Sequence, residues 1–245
     1  MTKEQLISEF KRIRSLGFIG SNRSHDTGIG KTFEDYMNIA ENNKTGPDIG
    51  DFEIKSQRDL SKSYITLFTK SPSYPKGANR FLKDNFGKPD SQHPDVKVLH
   101  TSIFGDRFNT ANNEFGFRIV VNDIEEKLIL QVKKLDTDEI ISDGAIYWHF
   151  KHMEGKKLKN SFLVLADKKI INGTEYFHYT QARMFFDFSF SKLIDGFKKG
   201  YIMFDFRMGA YKSGKSKGKP HDHGSGFRVK RGNLKDLFDT YIEID

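Results

Sequence analysis

The stretch Asp51-Phe52-Glu53-Ile54-Lys55 alternates polar and apolar residues, and that alternation constrains the fold more than any other feature of the chain. A period of two describes a β-strand with one face buried. Phe52 and Ile54 then point into a core, while Glu53 and Lys55, two apart, share the opposite face. Just upstream, a turn rich in Gly and Pro (Gly46, Pro47, Gly50) carries Asp48. An acid in the turn, then an acid and a lysine on one strand face, can converge on one point. Two carboxylates suit a hard divalent cation such as Mg²⁺, which takes oxygen ligands. A lysine beside that cation can position or deprotonate a water. This is the Asp-x(n)-Glu-x-Lys arrangement of metal-dependent phosphodiesterases, but the solvated face of an ordinary amphipathic strand has the same pattern. The rest of the chain has to decide between them.

The chain of 245 residues is long enough for one large domain or two lobes, and its 23 Phe supply ample core material. It has no Cys, which excludes disulfides, thiolate zinc sites and a cysteine nucleophile. Thr2-Lys3-Glu4-Gln5 has the form of a capping box. Leu6, Phe10, Ile13 and Leu16 follow at helical spacing, with Gly17 as the stop. Charged residues interrupt this run, so no signal peptide is expected. No apolar stretch is long enough to span a bilayer. The expected location is the cytoplasm, with no membrane partner.

Thr27-Gly-Ile-Gly-Lys-Thr32 has glycines like those of a phosphate loop, but His25 stands where the first glycine is required and no strand precedes it. Ser24-His25-Asp26 is no triad either, because triad members meet in space rather than in sequence. A helix is predicted from about Thr32, with Phe33, Met37 and Ala40 on its buried face. Glu34 near its start is either a favourable charge at the helix dipole or a third acid for the metal. A strand at 63–70 is expected to pair with 51–55 through the connection 56–62. Further strands are predicted at 98–103, 115–121, 127–133, 145–150, 161–166, 201–207 and near 226–230. Helices are predicted at 81–86, 189–199 and from 233 to about 242. Trp148 alternates with Ile146 and Phe150 and is assigned to the core.

The net charge is +7, and residues 197–231 hold ten Lys or Arg against Asp205 and Asp222, or +8, which leaves about −1 for the remainder. A basic segment of this kind is an electrostatic footprint for a polyanion. Its Gly, Ser, Tyr, His and Asp residues favour nucleic acid over a merely solvated loop. Lys215 is a candidate phosphate contact. His221-Asp222-His223 has two readings. It can bind a metal through two histidines, or read bases together with Arg207 and Arg228, with Asp accepting from cytosine N4 and Arg donating to guanine O6 and N7.

Several blocks together resemble the MvaI/BcnI group of restriction endonucleases, whose fold is related to that of the mismatch-repair nickase MutH. They are Thr27-Gly-Ile-Gly-Lys-Thr-Phe-Glu34, Pro47-Asp48, Glu53-Ile54-Lys55, Leu67-Phe-Thr-Lys-Ser-Pro72 and Gly77-Ala-Asn79. Arg207-Met-Gly-Ala-Tyr211, Ser213-Gly-Lys215, Lys217-Gly218, His221-Asp-His-Gly224 and Phe227-Arg228 complete the set. They run in family order over nearly the whole chain, and two of them, Leu-Phe-Thr-Lys-Ser-Pro and His-Asp-His-Gly, are closer to the MvaI side.

The resemblance implies an α/β fold of the PD-(D/E)xK restriction-endonuclease type, a mixed central sheet flanked by helices with two lobes around a DNA cleft. It implies a mainly catalytic lobe at 1–130 and a mainly recognition lobe at 131–245. Asp48 and Glu53, with Ile54 between the motif residues, would form the Mg²⁺ site. Lys55 would orient the attacking water and Glu34 would support the site. Arg207, His221, Asp222, His223 and Arg228 would face bases in the major groove. The implied activity is type II cleavage of duplex DNA at CCWGG (W is A or T), with CCSGG (S is G or C) as the family alternative, leaving a 5′-phosphate and a 3′-hydroxyl. A monomer and a cognate DNA methyltransferase that protects the host are implied as well. Two other classes share the pattern: a MutH-like nickase acting at GATC under partner control, and a catalytically silent DNA-binding protein. The intact Asp48, Glu53 and Lys55 argue against the second.

Overall fold

The computed structural model describes residues 1–23, 27–39, 47–59, 64–153 and 158–244. Ser24-His25-Asp26, Ala40, Gly46 and part of the connection 56–62 lie outside these residues. In chain order the first elements are α1 (Lys3–Ser15), β1 (Ile19–Gly20), α2 (Gly28–Tyr36), β2 (Phe52–Arg58), β3 (Tyr64–Thr69) and α3 (Ala78–Phe86). Next come β4 (Lys88–Pro89), β5 (Lys97–Phe104), β6 (Asn109–Ala111), β7 (Phe115–Asn122), β8 (Lys127–Lys134), β9 (Ile140–Ser142) and β10 (Tyr147–His149). The chain continues with β11 (Asn160–Ile171), β12 (Thr174–Phe188), α4 (Phe190–Lys198), β13 (Ile202–Ala210), β14 (Pro220–Asp222), β15 (Gly226–Lys230) and β16 (Phe238–Ile244).

These elements form two compact units. One comprises Met1–Ile65, Gly155–Ser189 and Leu234–Asp245, and the other Thr66–Glu154 and Phe190–Asn233. Neither is a consecutive stretch. The reason is topological: β11 pairs parallel to β2, and parallel neighbours need a crossover connection, here a long excursion through the second unit.

In the first unit the strand order is β1-β12-β11-β2, with β16 also paired to β12. The capping box is present, with Thr2 Oγ1 accepting from Gln5 N and Gln5 Oε1 from Thr2 N, and Gly17 ends the helix at φ 67°. Leu6, Phe10 and Ile13 of α1 and Ile29 and Phe33 of α2 pack on one sheet face, against Phe52, Ile54, Phe162, Val164 and Tyr179. Helix α2 begins at Gly28, earlier than predicted, and buries Phe33 as predicted; it ends at Tyr36, and its C-cap residue Met37 is buried as well.

Two expectations fail here. Strand β3 does not pair with β2; it lies beside β15 in the other sheet. The edge of β2 that β3 would need is occupied at Ile54, whose N–H is bonded to Asp48. The predicted helix at 233–242 is instead a 3₁₀ segment, Arg231–Leu237, followed by β16, antiparallel to β12. The second half of β12 offers a free ladder there, and Phe238 and Tyr241 pack on the ring of Phe185.

The second unit is built on a sheet ordered β10-β8-β7-β5-β13-β15-β3. Its core takes Phe204, Phe227, Leu130 and Trp148. The Trp148 ring lies 4.7 Å from that of Phe204, tilted by 54°, and its Nε1 donates to Lys70 O at 3.0 Å. It is a core residue, as the alternation predicted. Helix α4 buries Leu193, Ile194 and Phe197. No described helix is long and apolar enough to cross a membrane.

Candidate active site and nucleic-acid interface

A tight reversal precedes β2. Ile49 N donates to Phe52 O (3.1 Å) and Phe52 N to Ile49 O (2.9 Å), and Gly50 takes the left-handed conformation at φ 55° that the turn requires. The reversal lays Asp48 along the strand, where its Oδ2 accepts from Ile54 N at 2.8 Å. On β2 itself Phe52 and Ile54 enter the core while Lys55 Nζ sits 2.7 Å from Glu53 Oε1. Glu53 is only 3% exposed, and Ser161, its neighbour across the parallel ladder, is buried too. A buried carboxylate needs a charged or hydrogen-bonding partner, and Lys55 supplies one. Asp48, Glu53 and Lys55 thus converge on one short segment of β2. Glu34 stands on α2. Tyr179, whose hydroxyl donates to Ile29 O at 2.7 Å, has its phenol pushed up first by burial and then by the charge of Glu34.

The donors available at β2 are the Asp48 and Glu53 carboxylates and the backbone carbonyl of Ile54, all hard oxygens. Among the described residues, no three His, Cys, Asp or Glu side chains gather into a metal-binding group. Two carboxylates and a carbonyl suit a hard divalent cation, which takes oxygen ligands. Zinc needs at least three protein ligands. The same finding leaves the metal reading of His221-Asp222-His223 without its third ligand.

In the second unit, Asp205 and Arg207 of β13 share a face with Arg228 of β15, while Phe204, Phe206 and Phe227 face the core. Asp205 Oδ2 lies 2.9 Å from Arg207 Nε and 2.8 Å from Arg228 Nε. The Arg228 contact is an ion pair rather than an aligned hydrogen bond, since Nε itself makes none. Burial makes the Arg228 charge costly, the neighbouring Arg207 adds to that cost, and Asp205 offsets it. The Arg207 side chain is 49% exposed against 15% for Arg228.

His100 stands opposite Arg207 on β5, and His223 N donates to Arg207 O at 3.0 Å. The rings of Tyr211, His221 and His223 form a chain with centroid spacings of 4.3 Å. Gly209 makes room for the His223 ring, which would come within 3.0 Å of a Cβ at that position. His223 titrates below the ordinary histidine value, first through burial and then through His221 and His100; burial and Arg207 do the same to His100.

Lys215 is exposed on the Gly214–Ser216 turn. Its neighbours Lys212 and Lys217 pair with Asp90 (2.9 Å) and Asp95 (3.5 Å), so the folded basic segment carries less free charge than its sequence count. The Lys212 ammonium, with backbone N–H groups, holds the Asp90 carboxyl below its usual range. Sequence reasoning named neither Asp205 nor His100 as a site residue. The signal for Asp205 was its two-residue offset from Arg207, which puts both on one strand face.

The family model described as the MvaI/BcnI restriction endonuclease family matches residues 7–238. Among solved structures, the chain is similar to "Restriction endonuclease MvaI-cognate DNA substrate complex" at 35% identity, covering 100% of both chains with a TM-score of 0.90. It is also similar to "Restriction endonuclease MvaI in the absence of DNA" at 35% identity, covering 100% of this chain and 99% of that one, with a TM-score of 0.64. No curated protein matches. Fold and site together define a type II site-specific deoxyribonuclease of mixed α/β, PD-(D/E)xK-like architecture. The chain belongs to the MvaI/BcnI restriction endonuclease family, whose members use divalent metal ions.

Proposed function

We propose that this chain cuts both strands of duplex DNA at CCWGG by Mg²⁺-dependent hydrolysis. The observation that carries the chemistry is the Glu53–Lys55 pair on β2, with Asp48 pinned beside it at Ile54. Asp48, Glu53 and the Ile54 carbonyl would hold the metal, with Glu34 as support. When bound, Mg²⁺ stabilises charge on the phosphate oxygens and lowers the pKa of water. Lys55 holds the attacking water by a hydrogen bond and turns its lone pair toward phosphorus. The water oxygen gives up a proton to solvent and bonds to phosphorus as the bond to the 3′ oxygen breaks, and that oxygen takes a proton from solvent, leaving a 5′-phosphate and a 3′-hydroxyl.

On this reading the first unit cleaves and the second recognises. Arg207 and Arg228 donate to guanine O6 and N7, and Asp222 accepts from cytosine N4. His221 and His223 face base edges through their ring nitrogens. Four outer G·C pairs match these readers, and Lys215 contacts phosphate. The solved MvaI complex with its cognate DNA supports duplex DNA as the substrate here. The enzyme acts as a cytoplasmic monomer, and a cognate methyltransferase protects the host's sites. Digesting a plasmid of known sequence in Mg²⁺ and sequencing the ends tests the assignment. Ends confined to CCWGG support it, ends at CCSGG reassign the central pair, and nicks alone at GATC replace it with a repair nickase.

A further inference from the structure

The connection from β14 to β15, residues 222–226, is held by a polar network that reaches a distant part of the second unit. Asp222 Oδ1 accepts from Gly224 N at 3.0 Å and Ser225 N at 2.6 Å, which folds the turn on itself. Ser225 Oγ in turn accepts from Arg207 N at 2.8 Å, tying the turn to β13. The other carboxylate oxygen, Asp222 Oδ2, accepts from Asn79 Nδ2 at 2.9 Å, across 143 residues of sequence. Asn79 Nδ2 also donates to Ser71 Oγ at 3.0 Å. Asp222 and Ser225 border a pocket of about 640 Å³ whose wall also includes Lys70, Ser71 and His152.

The direction of the amide is fixed by chemistry. An ionised carboxylate only accepts, so the NH₂ group must face Asp222. The Asn79 Oδ1 is then left buried with no hydrogen-bond partner among the described residues. The Asn79 amide nitrogen thus bridges Asp222 and Ser71. What it does is hold a negative charge at one place on the pocket rim, with Arg207 tied to the same turn.

We infer that Asn79 is a positioning residue for base recognition: it aims the Asp222 carboxylate, and through the 222–225 turn it fixes the strand carrying Arg207. This rests on the reading of the second unit as the DNA-recognition unit. Asn79 touches no reacting atom, so it governs which sequence is bound rather than the rate of hydrolysis once bound.

The test is binding in Ca²⁺, without cleavage, to a duplex containing CCTGG and to a duplex in which one outer G·C pair is replaced by A·T. The ratio of the two affinities is the readout. Asn79→Ala is expected to shrink that ratio about tenfold, on the scale of one lost hydrogen bond to a charged group. Asn79→Ser, too short to span to Asp222, is expected to do the same and serves if the alanine variant unfolds. A purely structural role would lower the melting temperature and weaken both duplexes alike. An unchanged ratio in folded variants, with a wild type that discriminates, overturns the inference alone. A wild type that prefers neither CCTGG nor CCCGG over its outer-pair variant overturns the recognition reading and the inference with it.

Discussion

Asp205 shows most clearly how single residues set this surface. One carboxylate oxygen stands within 3 Å of two guanidinium groups, so both arginines are held on the same face before any partner arrives. Arg228→Ala is predicted to cost about 1–3 kcal/mol and to relax preference at one G·C pair. Lys215→Ala should weaken all sequences evenly and flatten the salt dependence. Equal losses on cognate and random duplexes for Arg228→Ala would remove it from base recognition. The histidines give a separate check. Arg207 holds the His100 pKa down, second only to burial, so Arg207→Ala should raise it in an NMR titration. Because the folded values of His100 and His223 lie below the unfolded one, any stability they contribute is present above the unfolded pKa. It is lost as the pH falls. Both rings keep exposed surface, so the loss on acidification should be modest.

At the scale of elements, the sequence reported local patterns well and long-range pairing badly. The capping box, the stop at Gly17, the split faces of β2 and the core position of Trp148 all follow from residues within one turn or one strand. The partners of β2 do not, because parallel pairing with β11 joins segments over a hundred residues apart. Strand β12 went unpredicted although its signal was present. Ile171 and Thr174 pair across Asn172-Gly173, both with positive φ (49° and 78°), which is the Asn-Gly hairpin turn. The alternation Thr240-Tyr241-Ile242 likewise marked β16 rather than a helix. Among the site residues, spacing alone placed Glu53 and Lys55, whereas Asn79 was legible only as part of a family block. Its partner Asp222 is distant in sequence. Close packing at β15 gives a test of this architecture. A Cβ on Gly226 would stand 2.5 Å from Phe68 O and 3.0 Å from Thr69 Cα. These are backbone atoms of β3 and cannot swing aside. Gly226→Ala should therefore lower the melting temperature by several degrees, on the scale of roughly 1–3 kcal/mol for overpacking. A variant as stable as the wild type would show that β3 and β15 are not so closely apposed.

For the whole molecule, the consequence of the proposal is stoichiometric. On that proposal each chain brings one Asp48-Glu53-Lys55 site, so a monomer would cut one strand per encounter and would have to turn round or rebind for the other. With limiting enzyme, a supercoiled plasmid bearing one site should pass through a nicked circle, at a rate first order in protein. Light scattering that found two protomers per site, with no nicked intermediate, would refute the monomer. Strand β2 is the proposed cleaving element, and single-turnover cleavage of a duplex with one CCTGG at saturating Mg²⁺ tests that most directly. Wild type should cut at that site, and Lys55→Ala and Glu53→Ala should not, while both variants still bind the duplex selectively in Ca²⁺. Cleavage at the wild-type rate by Lys55→Ala would show that β2 does not carry the reaction.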